Sequence, residues 1–254
     1  MGTVQSIDRA FLIIELIAKN EGSMTISDIS EQSQLHKSTV HRLLTSLIEN
    51  GYVEQMPDLS YKLSFRMYEM GVSVLKGVDL MDASSQVLNK LADEVNEVVH
   101  LVVRSDSHIT YIDKKNASTH GSIMGSRIGS VSPIYCTAAG KALLFNTSDE
   151  DIEEVWKRSD IKKLTENTIT NKKDFKKEIY ESKKRGFSMD DQENEVGITC
   201  LGAPIYNHLG EVIAAVSISG PSSRLNEENL EKYTHALKNA TLVISKNLGY
   251  IPAK

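Results

Sequence analysis

The stretch that most constrains this chain is Thr25–Tyr52, TISDISEQSQLHKSTVHRLLTSLIENGY. From Val40 its apolar residues fall at Val40, Leu43, Leu44, Leu47 and Ile48. That is the i, i+3, i+4, i+7, i+8 stripe of an amphipathic helix. The opposite face carries Lys37, Ser38, Thr39, His41, Arg42 and Thr45, and no acid occurs between Glu31 and Glu49. A helix with one buried stripe and a small, polar and locally basic outer face suits the major groove of DNA. The pattern alone also fits a helical hairpin with a solvated polar face.

The flanking residues extend the motif. Thr25 with Asp28 makes a short capping box for a preceding helix, whose Ile26 and Ile29 face inward. A turn near Gln34 and Leu35 joins the two helices, and Asn50-Gly51 ends the second. Tyr52-Val53 and Tyr61–Leu63 read as short strands around a Pro57-Asp58 turn. Upstream, Ser6–Lys19 reads as a helix with Ile7, Phe11, Ile14 and Ala18 on one face. Helix, helix-turn-helix and hairpin together predict a winged helix. Residues 1–64 contain five Lys or Arg against eight Asp or Glu, a net charge of −3. Few phosphates could be neutralised by one copy, so DNA binding would call for a homodimer or homotetramer.

The chain has 254 residues, enough for two ordinary domains, with the composition of a soluble globular protein and a net charge of −5. Two cysteines give no disulfide framework and fit a reducing cytoplasm. No apolar run approaches the ~20 residues that span a bilayer, so no membrane partner is expected. We divide the sequence into a winged helix (1–64), a linker helix (65–80, with Tyr68, Val72 and Leu75 on one side) and a second domain (81–254). In the second domain Met81–Asn96 is helical by spacing. Val98–Val103 and Ile109–Asp113 are β-rich. Thr137–Asn146, Ser148–Trp156 and Lys172–Arg185 read as helices. Thr199–Tyr206 and Val212–Ser219 read as strands, and Asn226–Asn247 as a closing helix. This mixed order predicts an α+β fold rather than a doubly wound sheet. The charges between Lys157 and Arg185 are of both signs and read as a solvated face.

Catalytic motifs are not found: there is no P-loop, no G-x-S-x-G elbow, and no histidine pair at metal-ligand spacing. We therefore expect no cofactor, no metal and no enzyme. Small polar residues on apolar elements do stand out. Ser217 and Ser219 alternate on one strand and share a face, Cys200 opens the neighbouring strand, and Asp190 lies just ahead of it. Ala138 and Ala139 begin a helix, where free N–H groups favour an anion. Converging, these would suit a small carboxylate. The alternative is that the two hydroxyls only bond neighbouring backbone.

At this point the chain resembles the IclR-type transcription regulators over essentially its whole length. The match is carried by VQSIDRAFLIIELI (4–17), LHKSTVHRLLTSLIENGYV (35–53), YKLSFRMYEMG (61–71), SRIGSVSPIYCTAAGKALL (126–144), RGFSMDDQENEVGITCLGAPIYNHLGEV (185–212) and SISGPSSR (217–224). The resemblance implies a winged helix, a linker helix and a GAF-like effector domain. It also implies dimers or tetramers on operator double-stranded DNA and a small organic acid as effector. Carried over residue by residue, effector contacts would be Ala138, Ala139, Asp190, Cys200, Ser217 and Ser219, with Met124 and Ile128 as apolar walls. Two positions depart from the family pattern. His36 stands where many members have Pro before the K-S-T-V-H-R run, and Ala138 stands where some have Gly, narrowing the site. The reading is a ligand-responsive regulator, more naturally a repressor. The alternatives are a thiol-based GAF-domain enzyme using Cys136 and Cys200, and a ligand-binding module that does not bind DNA.

Overall fold

In the computed structural model, which describes residues 3–20, 22–75, 79–116 and 125–252, the opening motif becomes three packed helices and a wing. They are α1 (Gln5–Lys19), α2 (Ile26–Ser33), α3 (Lys37–Glu49), β1 (Val53–Gln55) and β2 (Tyr61–Leu63), followed by α4 (Phe65–Leu75). The cap of α2 is reciprocal: the Asp28 N–H donates to Thr25 Oγ1 at 3.3 Å, and the Thr25 N–H donates to Asp28 Oδ2 at 3.2 Å. Gln34, at φ 57°, turns the chain into α3. Gly51 ends α3 in the left-handed region at φ 76°, where a Cβ would be strained. β1 and β2 pair antiparallel, and Met24 adds a bridge to Tyr61. Val40, Leu44 and Leu47 of α3 bury with Ile13, Ile17 and Ile29 in one core.

Helix α1 presents a different face from the one its first stripe suggests. Ile7 and Phe11 are 52% and 60% exposed, whereas Ile13 and Ile17 are buried. The run Phe11-Leu12-Ile13-Ile14 is apolar around most of the helix. Ala10, Ile13, Ile14 and Ile17 form a second stripe at helical spacing, and this one meets α2 and α3. On α4, Phe65 and Tyr68 are also exposed, their rings 4.9 Å apart. Val72, Leu75 and, further on, Met124 lie outside the residues whose side chains are described.

The chain divides into two units, Met1–Gly77 and Val78–Lys254. The second holds α5 (Leu80–Val95), β3 (Val98–Ser105), β4 (His108–Lys115), β5 (Val131–Pro133), α6 (Ala138–Ala142), α7 (Asp149–Arg158), α8 (Lys172–Arg185), β6 (Ser188–Asp191), β7 (Ile198–Tyr206), β8 (Val212–Pro221) and α9 (Leu230–Asn247). The strands form an antiparallel sheet in the order β5-β4-β3-β8-β7-β6. An α+β architecture results, compatible with the GAF-like expectation. Period-2 alternation gives the sheet two characters. Val99, Leu101, Leu201, Val216 and Ile218 pack with α5 and α9. On the other face, Val102 and Ala215 pack with Ile134, Ala139 and Leu143 around α6. Further along that face the register aligns Asp190, Cys200 and Ser219 in one row, and Ser188, Gly202, Ser217 and His100 in the next.

Four elements differ from their sequence reading. Helix α6 stops at Ala142, because the next turns tighten into i→i+3 bonds such as Phe145 N–H to the Ala142 carbonyl, 3.2 Å. Helix α9 starts at Leu230, after an Asn226–Asn229 turn held by Asn side chains. The short outer strands β5 and β6 carry too few residues, with polar Ser188, Asp190 and Asp191, to show an apolar period.

Gly202 lets α6 lie directly on the sheet: a Cβ there would sit 2.5 Å from the Ala138 carbonyl carbon. The neighbour is backbone and cannot swing away. Gly202→Ala should therefore lower stability by about 1–3 kcal/mol, read as a shift in the urea unfolding midpoint.

Candidate functional site

Two sets of residues could carry function, one in each unit. In the first unit, α3 has no acid in its first turn and begins with Lys37. Lys37, Ser38, His41, Arg42 and Thr45 are exposed, and Thr39 is half-buried. His36 occupies the position before the helix at φ −62°, the value a proline would impose, so the backbone is preserved without the ring. Thr45 spends its hydroxyl on the His41 carbonyl at 2.9 Å. Thr39 and Arg42 border a cleft of about 290 Å³ with Ser6 and Arg9 of α1. Arg9 was not a candidate in sequence reasoning. It lies far from the motif in sequence, and only the packing of α1 on α3 brings it alongside.

In the second unit a cavity of about 300 Å³ opens on the polar face of the sheet. Its wall brings together Asp190, Cys200 and Ser219, as the sequence suggested, and adds His100, Tyr111 and Ser132 from β3, β4 and β5. Ser126, Ser130, Asn194 and Glu195 come from loops. Ser217 stands behind His100 rather than in the described wall: Ser217 and Ser219 Oγ each lie 3.4 Å from His100 Nδ1. His100 Nε2 meets Ser126 Oγ at 2.8 Å. Ala138 and Ala139 are also outside that wall. Both are buried, and the Ala138 carbonyl accepts the Ser188 hydroxyl at 2.6 Å. Ile128 is exposed and borders no part of it.

The electrostatics follow from burial. Desolvation, helped by the Lys114 charge, pushes His100 down to about 3, so its ring is neutral at physiological pH. Tyr111, stacked edge-on to His100 at 5.1 Å, is held above its usual value, chiefly by burial. Burial, and then the charge of Glu193, raise Asp190 to about 7. Asp190 Oδ1 accepts the N–H groups of Glu193 at 2.7 Å and Asn194 at 3.3 Å, which fixes the loop between β6 and β7. Glu193 in turn bonds the fully buried ammonium of Lys141 on α6 at 2.5 Å. His100, the serines on loops and the β6–β7 loop were missed in sequence. The one usable signal for His100 was its place in the Val98–His100–Val102 alternation, which means nothing until β3 is known to neighbour β8.

The family pattern of the IclR helix-turn-helix domain matches residues 6–57, and that of the bacterial transcriptional regulator IclR C-terminal domain matches residues 72–246. The chain belongs to the IclR family. It is 32% identical to the HTH-type transcriptional regulator KdgR of Escherichia coli (strain K12), over 98% of this chain and 94% of that protein. It is also 32% identical to the transcriptional repressor IclR of the same organism, over 91% of this chain and 85% of that one. The crystal structure of Thermotoga maritima IclR, 34% identical, aligns with a TM-score of 0.64 over 97% of this chain and 99% of that one. This chain is accordingly a DNA-binding transcriptional regulator rather than a thiol enzyme. The thiols argue the same way: burial pushes Cys136 up to about 12 and Cys200 also upward, so neither supplies a thiolate near neutral pH.

Asp190 yields a pH prediction. Its folded value lies above its unfolded one, so the folded state holds the extra proton between about pH 4 and pH 7. Stability from this group is present at low pH and is lost as pH rises through that window. Asp190→Asn removes the titration while keeping an acceptor oxygen for the loop. Between pH 4 and pH 8 the stability of wild type relative to the variant should fall by on the order of 3 kcal/mol, measured by urea unfolding at each pH.

Proposed function

We propose that this regulator is a ligand-responsive repressor. The exposed, acid-free face of α3 reads operator double-stranded DNA, and the polar cavity on the β3–β8–β7–β6 face takes a small hydroxylated organic acid. The observation that carries the reading is the pairing, in one chain, of a helix-turn-helix whose polar face is exposed with a separate polar pocket rich in hydroxyls. Arg42 and His41, mid-helix on the outer face, serve as base readers. Lys37 at the helix start, with Ser38, Thr39, Thr45 and the neighbouring Arg9, holds phosphate, aided by the N-terminal dipole. In the cavity Asp190, Cys200 and Ser219 contact ligand. Ser217 acts through the orientation of His100, and Ala138 and Ala139 seat α6 on the sheet. Acting on operator DNA, it works in the cytoplasm.

Self-association belongs to the same proposal. Ile7, Phe11, Phe65 and Tyr68 are more than half exposed on a single small unit. We assign these exposed apolar side chains to the surface of self-association. With a net charge of −3 over residues 1–64, one head neutralises few phosphates, and a homodimer or homotetramer supplies the second half-site contact.

Arg42→Ala should weaken operator binding by about 1–3 kcal/mol and relax preference at one base pair. Lys37→Ala should instead weaken all DNA sequences alike. Band-shift titration at fixed salt separates the two, and unchanged affinity in both variants would reject α3 as the reading helix.

Phe11→Glu in the full chain should reduce self-association in sedimentation velocity. It should also lower operator affinity at least about tenfold, since one head then binds without its partner. A variant that still assembles and binds like wild type would move the interface elsewhere.

A further inference from the structure

Helix α8 carries seven Lys or Arg against three Asp or Glu in a chain whose net charge is −5. In sequence this is a mixed run. The fold sorts it. An open groove of about 830 Å³ runs along the helix, and every residue lining it comes from α8: six lysines, Tyr180 and one acid, Glu181. The other two acids are drawn off. Asp174 accepts from the Asn171 amide at the N-cap, 2.5 Å, and Glu178 pairs with Arg185 at 2.6 Å.

The groove keeps an excess of cations. Lys172 pairs with Glu153 of α7 at 3.3 Å, and Lys176 with Asp149 and Glu153 at 3.1 and 3.0 Å. Lys184 pairs with Glu181 at 2.9 Å. Lys173, Lys177 and Lys183 are exposed and make no ion pair among the described residues. Six lysines thus meet three carboxylates. Lys173, Lys177, Tyr180 and Lys184 fall at i, i+4, i+7 and i+11, a single stripe about 16 Å long. Like charges at i, i+4, as in Lys172/Lys176 and Lys173/Lys177, weaken a helix, and a polyanion laid against them relieves the repulsion.

The chemistry of the stripe favours one polyanion. Lysine is a point charge on a flexible stem, without the planar fork that matches a single carboxylate. The Tyr180 hydroxyl donates to Asp149 of α7. What remains is a row of mobile cations, suited to evenly repeated phosphates, which are contacted for position and not for sequence. The first unit is short of such contacts, being net −3 over residues 1–64.

We propose, resting on the reading of this chain as an operator binder, that the outer face of α8 contacts the phosphate backbone of duplex DNA flanking the bases that α3 reads. Lys173, Lys177 and Lys183 make the contacts. Lys184, whose exposed pair with Glu181 opens at little cost, joins them.

The test is the salt dependence of DNA binding by the full chain. The probes are an operator selected by this protein from random-sequence duplexes, set in about 60 base pairs and trimmed to the selected bases alone. Lys173→Gln/Lys177→Gln/Lys183→Gln changes only exposed side chains. On the long duplex it should lower the slope of log affinity against log salt by about 2–3, and on the trimmed one it should leave the slope as in wild type. A control, Lys90→Gln/Lys232→Gln/Lys246→Gln, removes the same charge from exposed positions on α5 and α9 and should behave as wild type. An α8 variant with the wild-type slope on the long duplex overturns the inference and leaves the groove to an acidic protein. So does a control that loses as much slope as the α8 variant, since the effect is then one of net charge. Arg42→Ala separates the two readings: it should weaken both duplexes alike, and if it does so while the α8 variant matches wild type, operator reading stands and only the flanking contact falls. If selection enriches no sequence, the α3 reading fails, and the same loss of slope on a mixed-sequence duplex of the long length decides the α8 contact by itself.

Discussion

The ion pair between Lys141 and Glu193 fixes the geometry on which the second unit's site depends. Lys141 is buried completely within α6, and its ammonium meets Glu193 Oε1 at 2.5 Å. Glu193 is anchored from two other directions: its N–H donates to Asp190 Oδ1, and its carbonyl accepts the Thr168 hydroxyl at 2.6 Å. The next residue, Asn194, receives the Cys136 thiol at 3.6 Å. One buried pair thus ties α6, the β6 strand and the loop before α8 to a single stretch of chain that also walls the cavity. Such a pair adds little net stability over an apolar substitute, because each ion loses its hydration. Its value is positional. Remove either partner and the other is a lone buried charge, so the loop has one low-energy arrangement rather than several.

That arrangement works because the sheet gives its two faces different residues. On the α5–α9 side, branched apolar chains fill the core without interruption. On the α6 side the same strands carry Ser188, Gly202, Ser217 and His100 in one row. Gly202 lets α6 approach to backbone contact, and Ser188 bonds both the Ala138 and Gly202 carbonyls, at 2.6 and 3.2 Å. Where the helix ends, the small and polar residues of the face are left facing space instead of protein. The cavity is what remains when the apolar half of that face is used for packing and the polar half is not.

How much of this was legible in the sequence differs between the units for a physical reason. In the first unit the contacts are local: the Thr25–Asp28 cap, the α3 stripe and the Gly51 stop each lie within a few residues, so periodicity and capping residues identify them. The exception is α1, whose continuous apolar run offers two helical stripes and no local basis for choosing between them. In the second unit the strands that alternate strongly were readable, as was the shared face of Ser217 and Ser219. The site itself was not, because β3 lies between β4 and β8, and residues over a hundred positions apart become neighbours. His100 carries no local mark of function. Ala138 and Ala139 illustrate another non-local feature: their backbone packs closely against Gly202, a contact that small residues at a helix start do not announce in the sequence.

The weak charge of the reading head bears on how a ligand can control it. A regulator whose single head neutralised many phosphates would hold DNA with a large, sequence-independent free energy, and a small molecule could not shift its occupancy far. Here residues 1–64 are net negative, so on the proposed reading operator occupancy rests on a few base and phosphate contacts repeated between copies. Ligand coupling energies are typically about 1–3 kcal/mol, a 5- to 150-fold change in affinity. Against a head poised at modest affinity, such a change moves the operator from mostly bound to mostly free. The ligand need only bind the two states of the protein differently, and nothing in the requirement depends on its being charged. On the proposed reading, a small-molecule cavity and an under-charged reading head are therefore compatible halves of one switch.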